Sequence, residues 1–155
     1  MQFKLFLENE EKKNVKKMIS LLPKGHQKLL DGYHFTFTPN NTLKGDNNHI
    51  GYIHKNKIVV AAPWNYGRGF TALHEIAHLV WEQKMTSELK KQWKKLFKST
   101  IKEFMKTLPK RAHDSLKQNA EEIFAMTYAN YYSKHHLMTY SHPEWMAFIL
   151  NKVPN

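Results

Sequence analysis

The sequence predicts a single α+β domain that is mostly α-helical. Apolar residues recur at helical spacing over most of the chain, whereas strand-like alternation is confined to residues 33–62. With 155 residues, of which 41% are hydrophobic and 13% aromatic, the chain can bury its own core and is too apolar to be disordered. It contains no cysteine, which excludes a disulfide scaffold, a cysteine nucleophile and a cysteine-ligated zinc finger.

The N-terminal half of the sequence predicts two helices followed by a small antiparallel sheet. The helices are expected at residues 10–22, with the apolar side chains on one face, and at residues 23–30, ended by Gly32. Three segments have the alternation or the composition of strands: Tyr33–Thr38, His49–Ile53 and Ile58–Ala62. We expect the last two strands to form a hairpin with its turn at residues 55–56.

Four further helices are predicted in the C-terminal half: Phe70–Lys84, Ser87–Leu108, Asn119–Tyr132 and Ser141–Leu150. Ser87 is expected to be the N-cap of the longest helix, and Pro109 ends it. Asn119 begins the next helix, and Glu122 follows three residues later, which is the spacing of a capping signal. We expect Ser141 to begin the last helix in the same way.

The net charge of +11 is unevenly distributed along the chain. Between Lys84 and Arg111 there are ten basic residues and two acidic ones. Four of these lysines recur at intervals of about one helical turn: Lys90, Lys94, Lys98 and Lys102. This face is either simply solvated or binds an anionic partner, which would be a nucleic acid, a membrane surface or an acidic protein. Because the stretch uses lysine rather than arginine, we do not expect sequence-specific recognition of bases.

No segment predicts a membrane span or a signal peptide. The chain has no window of about 18 uninterrupted apolar residues. Residues 1–7 are too few and too mixed in polarity to be the apolar core of a secretion signal. We therefore expect a cytoplasmic protein, and secretion by another route stays open.

The segment with the clearest chemistry is Thr71–His78, which contains His-Glu-Ile-Ala-His within a helical pattern. His74 and His78 are one turn apart, so both imidazoles project from the same face of the helix and can bind one Zn²⁺. Glu75 lies beside the metal in this arrangement, where it can accept a proton from a zinc-bound water and return it to a leaving amine. The competing interpretation is a buried helix whose histidines merely satisfy hydrogen bonds.

A catalytic zinc ion normally has three protein ligands and a water. An extended metzincin motif needs glycine and histidine where the chain has Trp81 and Lys84, so that class is excluded. The best source of a third ligand is the pair Glu121 and Glu122 on a later helix. Glu121 could instead form a hydrogen bond to a ligand histidine, and either glutamate alone would also suit the first turn of a helix. Three histidines are further candidates: His113, His135 and His136.

The two motifs together give the chain a resemblance to a known family. The segment His74–His78, followed by Glu122-Ile123-Phe124-Ala125, is similar to the gluzincin catalytic domain of anthrax lethal factor and to the related clostridial Pro-Pro endopeptidases. In that family a His-Glu-x-x-His helix is completed by a glutamate from a later helix. The resemblance covers residues 50–150 in pattern and is carried mainly by these two motifs.

The resemblance implies a zincin-like fold and a zinc-dependent peptidase. One Zn²⁺ per chain would be held by His74, His78 and Glu122, and Glu75 would be the general base. The strand near Val59–Ala62 would be an edge strand beside the motif helix and would hold an extended peptide substrate by strand addition. Residues 33–155 would then be the catalytic core, preceded by an N-terminal helical part.

The chain departs from the family pattern at three positions. Ala77 replaces a glycine, and Met126 stands where the family often has a second glutamate. A tyrosine that assists the oxyanion lies seven residues before the ligand glutamate in the family, and this chain has Ser115 there. Three residues are candidates for the role of that tyrosine: His113, Tyr66 and Tyr128.

Two functions from different classes follow from the sequence. The first is a zinc metalloendopeptidase, a hydrolase whose substrates the basic helix suggests to be acidic. The second is a basic module that binds nucleic acid or another partner and keeps a non-catalytic zinc site. A DNA-associated protease of the SprT-like type would combine the two, although the chain has no cysteine zinc ribbon and no matching Gly-His-Gly segment.

Overall fold

The computed structural model describes residues 12–37, 51–60, 67–117, 119–133 and 142–155. The helices in these ranges are α1 (12–19), α2 (Lys24–Lys28), α3 (Gly67–Gln83), α4 (Ser87–Lys106), α5 (Lys110–Leu116), α6 (Ala120–Ser133) and α7 (Pro143–Asn151). The strands are β1 (His34–Phe37), β2 (Gly51–His54) and β3 (Lys57–Val60). The predicted α+β class with mostly α-helical content is confirmed. Helix α5 was not predicted, and none of the helices in these ranges combines the length and apolar composition needed to cross a membrane.

The sheet is mixed rather than antiparallel, with the strand order β1-β3-β2. β2 and β3 form the predicted antiparallel hairpin, whose turn places Lys55 at a positive φ of 52°. β1 pairs with β3 in parallel, so β3 is central and cannot be the edge strand that we expected near residues 59–62. The burial of Ile58, Val59 and Val60 explains this position, since a continuous apolar run is typical of a strand covered on both faces.

Among the described strands, the edge strand beside the motif helix is β2. Both β2 and β3 contact α3, but β2 has a strand on only one side within the described ranges. An edge strand beside the motif helix is therefore present, but it is the strand before the one that we predicted.

The centre of the core is the packing of α3 against α6. Trp93 of α4 is completely buried beside this pair, and its ring packs edge-on against Phe124 of α6 with 5.4 Å between the ring centroids. The indole N–H of Trp93 donates a hydrogen bond of 2.7 Å to the carbonyl of Ala120. Because Ala120 is the first residue of α6, this bond ties the N-terminal turn of α6 to α4.

Two helix starts differ from the prediction. Thr86, rather than Ser87, is the N-cap of α4, and its hydroxyl accepts a hydrogen bond of 3.2 Å from the backbone N–H three residues later. His142 is the N-cap of α7, where its Nδ1 accepts a hydrogen bond of 3.1 Å from the backbone N–H two residues later. Ser141, the predicted cap, lies outside the described residues.

The last residues of the chain pack against α2 through a buried histidine. The Nε2–H of His26 donates to the carbonyl of Pro154 at 2.6 Å, so its Nδ1 accepts from the hydroxyl of Tyr128 at 2.8 Å. Burial lowers the pKa of His26, which agrees with a neutral imidazole in this position. Gly25 is required here, because a Cβ at this position would lie 2.5 Å from the carbonyl carbon of Asn155.

Candidate metal centre

Helix α3 presents His74 and His78 from one face while the rest of the helix is embedded in the core. Its apolar positions are buried: Leu73, Ile76, Ala77, Leu79 and Val80. In contrast, 12% of the His74 side chain and 20% of the His78 side chain are exposed. The two rings lie edge to face with 5.1 Å between their centroids, so both reach the same point outside the core.

Helix α6 brings Glu122 to the two histidines. The predicted capping signal at Asn119 is confirmed, since its Oδ1 accepts a hydrogen bond of 2.8 Å from the backbone N–H of Glu122. This cap places Glu122 in the first turn of α6, where its two carboxylate oxygens accept hydrogen bonds from the two imidazoles. The distance from Oε2 to Nε2 of His74 is 3.1 Å, and the distance from Oε1 to Nε2 of His78 is also 3.1 Å.

Glu121 contacts the same histidine from its other side. Nδ1 of His78 donates to Oε1 of Glu121 at 2.9 Å, so one of the two arrangements predicted for Glu121 is present in the structure. Glu121 thus orients the imidazole and fixes which ring nitrogen points toward Glu122. Of the two adjacent glutamates, Glu122 is the one whose carboxylate is shared by both histidines.

The donor set fits a zinc ion. One ligand atom each from His74, His78 and Glu122 can be chosen so that all three lie within 4.8 Å of one another. Two imidazole nitrogens and one carboxylate oxygen match the composition of catalytic zinc sites, which leave a fourth position open. The hydrogen bond from His78 to Glu121 supplies the outer carboxylate that metal-ligating histidines usually have.

The charges of the centre are strongly coupled. Burial lowers the pKa of His78, but its hydrogen bonds to Glu122 and Glu121 outweigh burial and raise the pKa to about 9. The hydrogen bonds from His74 and His78 hold the pKa of the Glu122 carboxyl well below its usual range. A neutral imidazole has a single N–H, so the two carboxylate contacts of His78 indicate an imidazolium at neutral pH.

We expect the affinity for Zn²⁺ to weaken about tenfold for each pH unit below about 9, because the proton on His78 must leave before Nε2 can bind the metal. The Glu122 carboxylate is already ionised at neutral pH and adds no further proton. Zinc titration calorimetry in buffers of different ionisation enthalpy would measure this as about one proton released per zinc at neutral pH. A Glu121→Gln variant should release fewer protons per zinc. An affinity for Zn²⁺ that is unchanged between about pH 6 and pH 8 would contradict the assignment of His78 as a protonated ligand.

Glu75 is buried between α3 and β2, with 6% of its surface exposed. Its charge contributes to the raised pKa of His78, so its carboxylate lies within electrostatic reach of the histidine pair. The neighbour that gives it room is Gly51, where a Cβ would stand 3.0 Å from Cγ and 3.1 Å from Oε1 of Glu75. Gly51 is not among the predicted site residues, although a glycine within a strand often marks a close backbone approach.

Two of the three candidates for the role of the missing tyrosine have other contacts in the structure: Tyr128 and His113. Tyr128 is fully buried and its hydroxyl donates to His26, so it cannot act on a bound substrate. The Nε2–H of His113 donates to the carbonyls of Met105 and Leu108, at 2.7 and 3.3 Å, and thereby caps the end of α4. Neither residue therefore fills the role that was predicted for it. The third candidate for that role, Tyr66, lies outside the described residues, and so do the alternative zinc ligands His135 and His136.

The interpretation of this site rests on its geometry and on its two sequence motifs. No protein-family model matches the chain, and neither a curated protein nor a solved structure matches it significantly. The gluzincin assignment therefore stays a prediction from the two motifs.

Proposed function

We propose that the protein is a zinc-dependent peptidase. The observation that carries this proposal is the convergence of His74, His78 and Glu122 from two separate helices within 4.8 Å. A structural zinc site normally has four protein ligands, whereas the described part of the chain supplies three, which resembles catalytic sites with an open position. Glu75 supports the proposal because it places a buried carboxylate next to the histidine pair on the same helix.

Each side chain has a distinct task in this proposal. A zinc ion held by the three residues would supply a Lewis acid that polarises a peptide carbonyl and lowers the pKa of a water molecule. Glu75 takes up the proton that the attacking water loses and delivers it to the amine that leaves when the C–N bond breaks. Glu121 keeps the ring of His78 in place through its hydrogen bond to Nδ1.

The geometry favours β2 as the strand that binds an extended substrate. β3 cannot do so because β1 and β2 already occupy both of its sides. β2 contacts α3 and has one side without a strand partner in the described part of the sheet, so a peptide could pair with its backbone there. Gly51 begins this strand next to Glu75, which would bring the scissile bond close to the general base.

We expect the purified chain to bind about one Zn²⁺ after reloading and dialysis, and to cleave peptides only in the zinc-loaded form. Elemental mass spectrometry measures the zinc per chain, and a broad peptide library analysed by mass spectrometry detects cleavage. The matched control is the same preparation treated with a chelator and then reloaded. Zinc binding without cleavage of any peptide would contradict the peptidase proposal, and absence of zinc would contradict the metal centre itself.

A further inference from the structure

We infer that the substrates are acidic polypeptides, whose negatively charged segment binds along a row of lysines that starts at the metal centre. This inference rests on the proposed peptidase function and adds a substrate class to it. The row consists of Lys90, Lys94, Lys98 and Lys102 on α4 and is called the lysine row below.

A cleft of about 600 Å³ joins the metal centre to the start of the lysine row. The cleft is lined by His78 and Glu121 of the metal centre and by Lys90 of the lysine row. Lys55, in the turn that follows β2, also faces this cleft. A peptide paired with β2 over the metal centre would therefore extend into a cleft that two lysines line.

The positive charge beside the cleft comes from the lysine row. Its charged lining residues besides His78 are Lys55, Lys90, Glu82 and Glu121. As a zinc ligand His78 would be neutral, so these four charges cancel, and the other three lysines of the row add the positive charge. A carboxylate entering the cleft is thus attracted more than it is repelled.

Lys90 is fixed in a position that leaves its charge available. Its ammonium lies 5.6 Å from the centre of the Trp81 ring, a cation–π contact that keeps the side chain against the cleft wall. It is half-buried and forms no salt bridge within the described part of the chain. A half-buried cation without a carboxylate partner gains more from an incoming anion than a fully solvated lysine does.

The lysine row extends this charge away from the cleft. Lys94, Lys98 and Lys102 are exposed, and none of them forms a salt bridge with another described residue. Residues four apart are neighbours on a helix surface, so the four lysines form an oblique ridge, which rises about 18 Å along the helix axis from Lys90 to Lys102. An extended peptide covers this distance with about six residues. The continuity of row, cleft and metal centre favours a polypeptide, because the edge of β2 can bind an extended backbone at the same time.

The test compares two triple charge reversals that change the net charge equally. Lys94→Glu/Lys98→Glu/Lys102→Glu alters the lysine row, and Lys12→Glu/Lys16→Glu/Lys17→Glu alters exposed lysines of α1. Both are made in the zinc-loaded full chain carrying Glu75→Gln, so that the probe is not cleaved. Fluorescence anisotropy measures the binding of a labelled hexaglutamate, with hexaglutamine and a single-stranded oligonucleotide of equal charge as comparison probes. Circular dichroism confirms that both variants are folded.

We expect the lysine-row variant to lose about tenfold or more in affinity for hexaglutamate, while the α1 variant loses less than about threefold. Equal losses in both variants would overturn the inference, because the whole-molecule charge would then explain the binding. Tighter binding of the oligonucleotide than of hexaglutamate would assign the row to nucleic acid, and no binding of hexaglutamate would also overturn it. The binding assay needs no turnover, so its result is independent of the peptide-library experiment, in which absence of cleavage by the unchanged zinc-loaded chain would contradict the peptidase proposal.

Discussion

Replacement of Glu75 by glutamine is expected to reduce peptide cleavage by about 10²–10⁴-fold and to leave zinc binding intact. Glutamine has nearly the same shape, so it retains the packing of this buried side chain against Gly51. An amide cannot take up the proton of the attacking water, so the step assigned to Glu75 fails while the three donor residues are unchanged. The measurements are kcat and KM on a peptide found in the library, together with the zinc content of both proteins.

The control for this variant is Glu88→Gln, which removes the same charge from an exposed position in the first turn of α4. We expect its kcat to equal that of the unchanged protein. If Glu75→Gln cleaves as fast as the control while binding zinc equally, Glu75 is not the general base. A higher KM with an unchanged kcat would instead assign Glu75 to substrate binding.

Replacement of Glu122 by glutamine is expected to weaken zinc binding far more than the same change at Glu121. Glu121 contacts one nitrogen of His78 from outside the donor set, and loss of such a contact typically costs about 10–100-fold in metal affinity. Glu122 faces both histidines and supplies the carboxylate ligand, so its loss should exceed that range. The two variants form a matched pair because the residues are adjacent and the chemical change is identical.

Competition with a chromogenic chelator at a pH near 9 measures both zinc affinities while limiting the contribution of the His78 proton. Equal losses would show that the two glutamates act as interchangeable ligands. A larger loss for Glu121→Gln would reverse the assignment and make Glu121 the ligand. Thermal unfolding of both metal-free variants shows whether either change acts through the stability of α6.

Local patterns in the sequence determined the elements that carry the site. The spacing of His74 and His78 places both side chains on one face of any α-helix, independently of what surrounds it. The capping signal at Asn119 likewise depends on neighbouring residues and placed Glu121 and Glu122 in the first turn of α6. The mostly helical α+β class followed from periodicity, because helices and strands repeat with different spacing.

The tertiary structure decided what these elements contact. Alternation and composition identified β3 as a strand, but they do not specify its neighbours, so its central place and the edge position of β2 became visible only in the sheet. Tyr128 has a hydroxyl suited to catalysis, yet the packing of α6 turns it to His26 in the core.

The division of roles between Glu121 and Glu122 also depended on how α6 packs against α3. The two residues are adjacent and chemically identical, so their sequence context alone left both arrangements open. In the structure one carboxylate faces both imidazoles and the other contacts the far side of His78. The role of Gly51 could not be predicted from the sequence either, because it depends on the short distance between Gly51 and Glu75. Spacing along the chain specifies geometry within a helix or strand, whereas contacts between elements depend on packing among residues far apart in sequence.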